Sequence, residues 1–140
     1  MNKNEMTLLL QSRTVNESLA RSAVAAFCSE LNPTIDTISD IKTAVSEAVN
    51  NAIVHGYSGQ EDKIVKIYTR LVDTVLHIEV SDSGVGIVDI KKALEPFFTT
   101  KPEQERSGMG FTVIESFMDS LDVKSDKKGT TVTMTKKVIA

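Results

Sequence analysis

The sequence is poor in cysteine, in long apolar runs and in clustered positive charge. Its 140 residues include one cysteine, Cys28, so no internal disulfide can form, as is usual in a reducing compartment. No apolar run is long enough for a secretory signal or a membrane span. The formal net charge is −3, and lysine and arginine form no block, so we expect no direct binding to nucleic acid or to an anionic membrane. Together these absences predict a cytoplasmic protein.

The sequence also lacks repeats, low-complexity segments and Pro/Gly-rich linkers that would divide it. With 41% hydrophobic and 25% charged residues, residues 1–140 are predicted to form a single globular domain. Cys28 ends the apolar run "AVAAFC", which favours a small buried side chain over a reactive thiol.

The spacing of apolar residues predicts an α/β two-layer sandwich. A strand over "MTLLLQS" precedes helices over about residues 16–31 and 34–55, the second ended by Gly56. Two antiparallel strands, "KIVKIYTRLV" and "VLHIEVSD", are joined by a turn at residues 73–74. A short helix around "VDIKKAL", an irregular loop, a helix over about residues 109–121 and the strands "LDVKSD" and "TTVTMTKKV" follow. We expect three long helices on one face of a mixed, mostly antiparallel sheet.

A polar stripe runs along the second predicted helix, in "SEAVNNAIVHGY". Glu47, Asn51 and His55 are four residues apart and therefore lie on one side of the helix. Asparagine is a poor residue for a helix interior, and a carboxylate and a carboxamide oxygen one turn apart can hold Mg²⁺ directly or through water. The alternative is a solvated polar face, which is common on helices.

A second motif, "VSDSGVGI", follows the predicted strand over residues 75–82. Asp82 at the strand end is a suitable acceptor for an exocyclic amine such as that of adenine. Gly84 and Gly86 would let a ring or a phosphate approach the backbone, although an ordinary glycine turn would use the same residues. A Rossmann motif is excluded because Asp89 stands where the third glycine would be, and no GKS or GKT of a Walker motif is present.

The third motif, "ERSGMGF", lies where the predicted loop becomes a helix. Main-chain N–H groups at a helix start suit phosphate binding, and Gly108 and Gly110 leave the approach open. Lys101 in the preceding loop could reach a terminal phosphate, or it could be solvated. Thr130 in "KGTTVTM" could bond Asp82 or the adenine, although a hairpin turn explains the same letters.

In this order, the four stretches resemble the ATP-binding boxes of the GHKL superfamily, which joins gyrase, heat-shock chaperones, histidine kinases and MutL-type repair proteins. "SEAVNNAIVHGY" is similar to the N box, "DSGVGI" to the first glycine box and "SGMGF" to the second, with "GTT" closing the site. The stretches "FFTTKPEQERSGMGF" and "SEAVNNAIVHGY" are most similar to the small anti-sigma-factor serine kinases of spore-forming bacteria. The resemblance implies the GHKL (Bergerat) ATP-binding fold.

The resemblance also implies roles for individual residues. Asn51 would bind Mg²⁺, and Asp82 would receive the adenine amino group. Glu47 would be the general base that takes a proton from a substrate serine, or would only support the metal through water. Arg21 would contact protein partners. The other implied ATP-binding residues are Gly84, Gly86, Thr99, Lys101, Ser107, Gly108, Met109, Gly110 and Thr130.

The function implied by the resemblance is that of an ATP-dependent protein-serine kinase and anti-sigma factor. Such a protein, as a homodimer, binds and inhibits a sporulation sigma factor and phosphorylates a serine of an anti-anti-sigma protein. The alternative is a nucleotide-gated binding module that transfers no phosphate. A detached histidine-kinase catalytic domain is disfavoured, because we expect no separate helix with a phosphoacceptor histidine before the domain.

Overall fold

A computed structural model describes residues 3–87, Leu94 and residues 110–139 of the protein. The elements in these residues are β1 (Lys3–Gln11), α1 (Asn16–Phe27) with a 3₁₀ turn (Cys28–Leu31), α2 (Ile35–Asn51) with a π turn (Ala52–Gly56), β2 (Ile64–Val72), β3 (Val75–Asp82), α3 (Gly110–Phe117), β4 (Ser120–Asp126) and β5 (Gly129–Lys137). The predicted helix around "VDIKKAL" and the irregular loop after it lie outside the described residues, apart from Leu94.

The five strands form one sheet in the order β1-β2-β3-β5-β4. Each of the four pairings between these strands is antiparallel, so the sheet is not mixed in the part described. The reason lies in the position of β5. Strands β3 and β4 run in the same direction, but β5 lies between them and pairs with both. The predicted two-layer sandwich is confirmed, with three helices against the sheet.

The core lies between the helices and one face of the sheet. In β3, Leu76, Ile78 and Val80 are buried and alternate with the half-buried His77 and Glu79 on the other face, as predicted. The buried face of α2 is made of small and branched apolar residues at three- and four-residue spacing, namely Ile41, Ala44, Val45, Ala48 and Val49. This face packs between α1 and α3, and the π turn that follows α2 meets β3 and β5.

The first residues of α2 show why the helix begins where it was predicted to begin. Asn32 has a left-handed conformation (φ 51°) and Pro33 follows, so the preceding helical segment ends there. The Thr34 hydroxyl then accepts a hydrogen bond from the Thr37 N–H at 3.1 Å, which caps the new helix.

The last helix is shorter than predicted, because α3 ends at Phe117 and not near Leu121. The Asp119 N–H donates to the Thr135 carbonyl at 2.8 Å, so the chain has already left the helix to pair with β5. The Phe117 carbonyl is capped by the Lys136 ammonium at 2.6 Å. Leu121, which continued the helical spacing, pairs with Met134 in the sheet.

Cys28 is a buried residue of the core, as predicted. Its thiol donates to the Val24 carbonyl at 3.1 Å, and burial raises its pKa to about 11. None of the helices in the described ranges is long and apolar enough to cross a membrane.

Candidate functional site

The site begins where the π turn after α2 touches the segment that follows β3. The Val85 N–H donates to the Gly56 carbonyl at 3.0 Å. A side chain on Gly84 would overlap the Gly56 carbonyl, so only glycine fits at this approach. The end of the predicted N box and the first glycine box are therefore in direct contact. For brevity, residues 83–87 are called the glycine segment below.

Asp82, the last residue of β3, lies beneath Gly56. A Cβ atom on Gly56 would come within 2.7 Å of the Asp82 carboxyl carbon. The Gly84 N–H donates to Asp82 Oδ1 at 2.9 Å. Burial raises the pKa of Asp82 above its usual value, and the main-chain N–H groups of Gly84 and Thr130 offset part of this rise. Since a carboxylate offers about four lone pairs, capacity remains for an exocyclic amine.

The β4–β5 hairpin forms the wall on the other side of Asp82. Thr130 is the antiparallel partner of Asp82, and a side chain on Gly129 would overlap the Asp82 carbonyl. The sequence raised the possibility that the Thr130 hydroxyl bonds Asp82 or adenine. In the structure the Thr130 hydroxyl lies 2.7 Å from the Ser125 hydroxyl.

Ser125 is a site residue that sequence reasoning missed. Its hydroxyl accepts a hydrogen bond from the Ile87 N–H at 2.7 Å, which ties the glycine segment to the hairpin. Gly86 contributes to the same contact, because it has φ +79° and a side chain there would overlap the Asp126 carbonyl. A serine in an amphipathic strand carries no sequence signal for such a contact.

Asn51 and Gly110 lie together at the other end of the site. Asn51 is the last residue of α2, and Gly110 is the first residue of α3. A Cβ atom on Gly110 would come within 2.9 Å of Asn51 Nδ2. Glu47 lies one turn earlier on α2, and both polar side chains are half-buried. The described residues thus bring the N box into contact with the start of the second glycine-box helix.

Asn51 and Glu47 offer the kind of oxygen atoms that Mg²⁺ takes as ligands. Among the described residues, no three His, Cys, Asp or Glu side chains come together as a metal site. Mg²⁺ usually keeps several waters and takes one or two protein oxygens together with phosphate oxygens. The Asn51 carboxamide, with Glu47 one turn away, is compatible with that pattern.

The remaining predicted site residues are Arg21 and five residues outside the described ranges. Arg21 lies on α1, where its guanidinium donates to the Ser46 hydroxyl at 3.4 Å and lies 3.6 Å from the Glu17 carboxylate. These contacts tie α1 to α2 and do not test a role in partner binding. Five predicted ATP-binding residues lie outside the described residues: Thr99, Lys101, Ser107, Gly108 and Met109.

An antiparallel sheet of five strands packed against helices is the fold of histidine kinase-like ATPases. The chain belongs to that family, whose model, described as a histidine kinase-like ATPase domain, matches residues 10–136. The resemblance inferred from the four motifs is confirmed.

Several relatives carry the name anti-sigma F factor. The chain is 56% identical to the one from Clostridium botulinum (strain Alaska E43 / Type E3) over 138 residues, which cover 98% of this chain and 96% of that protein. It is 54% identical to the one from Geobacillus kaustophilus (strain HTA426) over 137 residues, which cover 97% and 94%.

A solved structure supports the fold. The structure of the RsbU and RsbW domains of Rv1364c from Mycobacterium tuberculosis matches with a TM-score of 0.71 and 19% identity, over 96% of this chain and 32% of that chain.

Proposed function

We propose that this protein is an ATP-dependent protein-serine kinase that also acts as an anti-sigma factor. Residues 1–140 form a single cytoplasmic domain that works as a homodimer, binds and inhibits a sporulation sigma factor, and phosphorylates a serine of an anti-anti-sigma protein. The family and the name shared by relatives at 54 and 56% identity support this proposal. The observation that carries it is the contact of Gly56 with Gly84, which joins the Asn51 helix to the Asp82 strand.

ATP lies across this contact in the proposal. Asp82 accepts the adenine amine, since its carboxyl group is held by the Gly84 N–H and retains lone pairs. The glycines provide the close approach that a flat ring and phosphates need. The phosphate contacts are assigned to the second glycine box and to the loop before it, namely Thr99, Lys101, Ser107, Gly108, Met109 and Gly110. Asn51 is the protein ligand of Mg²⁺, which would neutralise phosphate charge when bound.

Glu47 is the general base of the proposed transfer. Its carboxylate lies one helical turn before Asn51, on the same side of α2. The carboxylate takes the proton of the substrate serine hydroxyl as the serine oxygen bonds to the γ-phosphorus. The bond from that phosphorus to the bridging oxygen breaks, and ADP leaves. A positioned base of this kind contributes about 10²- to 10⁴-fold to the rate.

The variant Glu47→Gln tests the kinase assignment. We expect transfer of label from γ-labelled ATP to the anti-anti-sigma protein to fall by at least about a hundredfold, because the amide cannot take the proton. The ATP dissociation constant should stay within about twofold, since Glu47 is not assigned to nucleotide binding. Asp36→Asn is the control, because Asp36 is an exposed carboxylate in the first turn of the same helix.

The outcomes of this assay separate the competing functions. Undiminished transfer by Glu47→Gln would show that Glu47 is not the base. Wild-type protein that binds ATP but labels no serine would point to a nucleotide-gated binding module. Acid-labile label on a partner histidine would instead indicate a histidine-kinase catalytic domain.

The anti-sigma role is tested by capture of a recombinant sporulation sigma factor on the immobilised protein. We expect retention with Mg·ATP and little retention with the Asp82→Asn variant, which should bind ATP poorly. Equal retention by both proteins, with or without ATP, would contradict an ATP-dependent anti-sigma factor.

A further inference from the structure

Tyr57 is a buried residue with a hydroxyl group that joins two distant segments. It follows Gly56 at the end of the π turn, and only 6% of its surface is exposed. The hydroxyl oxygen lies 2.5 Å from the Ile64 carbonyl and 2.7 Å from the Ser83 N–H. A carbonyl can only accept and an N–H can only donate, so the hydroxyl donates to Ile64 and accepts from Ser83.

Ser83 is the residue between the predicted adenine acceptor and the first glycine. Three successive N–H groups are committed here. Ser83 donates to the Tyr57 hydroxyl, Gly84 to Asp82 Oδ1 and Val85 to the Gly56 carbonyl. Gly56 and Tyr57 thus hold the residues on both sides of Gly84. A shift of Ser83 would move both of its neighbours. It would displace the main chain of Asp82 and also the Gly84 N–H, which orients the Asp82 carboxylate.

Tyr57 is itself held from two other directions. Its N–H donates to the Ala52 carbonyl at 3.0 Å, five residues back, as in a π turn. Its ring belongs to the buried core cluster, and its hydroxyl proton is committed to the first residue of β2. The hydroxyl is therefore a fixed point in the core against which the glycine segment is held.

We propose that Tyr57 is a positioning residue for recognition of the adenine amine. The residue does not touch the nucleotide. It acts through Ser83, because holding the Ser83 main chain keeps the Asp82 carboxylate where it can accept the adenine amine. This inference rests on the proposed binding of ATP at Asp82 and names a residue that makes that site selective. A tyrosine that only supported the fold would affect all nucleotides alike.

The test compares two triphosphates on two matched variants. Tyr57→Phe removes the hydroxyl and leaves the ring, and Tyr68→Phe makes the same change on the outer face of β2, where Tyr68 is half-buried. Calorimetry measures affinity for ATP and for purine riboside triphosphate, which lacks the exocyclic amine. For Tyr57→Phe we expect a roughly three- to tenfold loss for ATP and a change within about twofold for the analogue. Tyr68→Phe should alter neither affinity.

Two outcomes would overturn the inference alone. If the wild type prefers ATP and Tyr57→Phe keeps that preference, the hydroxyl does not position Asp82. If the variant loses affinity for both nucleotides equally, Tyr57 is only structural. A wild type that binds both triphosphates equally would overturn this inference together with the assignment of Asp82. Label transfer to a serine is read separately with Glu47→Gln and does not depend on this comparison.

A second measurement serves if Tyr57→Phe does not fold. The chain has two tyrosines, so in Tyr68→Phe protein grown with 3-fluorotyrosine the fluorine label is at Tyr57 alone. We expect ATP to shift this ¹⁹F resonance more than purine riboside triphosphate does, because only ATP engages the Asp82 carboxylate through an amine. Equal shifts, or no shift with ATP, would overturn the proposal.

Discussion

The variant Asp82→Asn tests the carboxylate to which the proposal assigns recognition of the adenine amine. Asp82 Oδ1 already receives the Gly84 N–H at 2.9 Å. In the variant, the single amide oxygen must stay at the Oδ1 position to accept the Gly84 N–H. The new NH₂ group therefore takes the place of Oδ2. It would then face the adenine amine, donor against donor. A hydrogen bond to a charged group contributes about 1.5–3 kcal/mol, so we expect ATP affinity to fall about 10- to 150-fold.

Isothermal calorimetry with ATP and purine riboside triphosphate measures this loss. The variant should lose affinity for ATP and not for the analogue, so that the two nucleotides bind it almost equally. Glu79→Gln is a suitable control, because Glu79 lies on the same strand but on the opposite face of the sheet. Wild-type affinity for ATP in the Asp82→Asn protein would refute the reasoning.

Three further predictions concern charge and packing. Burial raises the pKa of Asp82 in the folded protein. The free energy of unfolding of the wild type, relative to that of Asp82→Asn, should therefore be greatest below the unfolded-state pKa of about 3.9. It should fall as the pH rises through the folded-state pKa. Urea unfolding across this range measures it, and a pH-independent difference would contradict it. With a pKa of about 11, Cys28 should react with iodoacetamide at pH 8 at least about a hundredfold more slowly in the native protein than in urea, and comparable rates would refute its burial. Gly84→Ala should lower the free energy of unfolding by about 1–3 kcal/mol and weaken ATP binding. Gly59→Ala, which meets no atom within 4 Å and is strained only through its φ of +80°, should leave binding unchanged. Unaltered ATP binding by Gly84→Ala would remove this contact from the site.

The elements that were predicted well are those set by local pattern and chemistry. Alternation of apolar residues defined β2 and β3, and their turn falls where expected, between Val72 and Val75. The beginning of α2 follows from Pro33 and the hydroxyl cap of Thr34. These signals act within a few residues, so they can be read from the chain alone. The four motifs, taken together in order, were also enough to identify the family.

The elements that were predicted less well depend on distant pairing. Whether Leu121 extends α3 or enters a strand is decided by Met134 on β5, because the helical spacing continues through Leu121 without interruption. The insertion of β5 between β3 and β4 likewise decides that the pairings among the described strands are all antiparallel. Neither the end of α3 nor the strand order can be deduced from the residues around it, because both depend on pairing with β5.

The same division holds for the site. The sequence by itself predicted that Asp82, Asn51 and the glycines serve one nucleotide, because their chemistry and their order along the chain resemble those of a known family. Only the tertiary structure decided what holds them. Tyr57 and Ser125 bind main-chain N–H groups 26 and 38 residues away along the chain. Any hydroxyl can accept a hydrogen bond from a main-chain N–H. The tertiary structure, and not the residue type, therefore decides which hydroxyl accepts it.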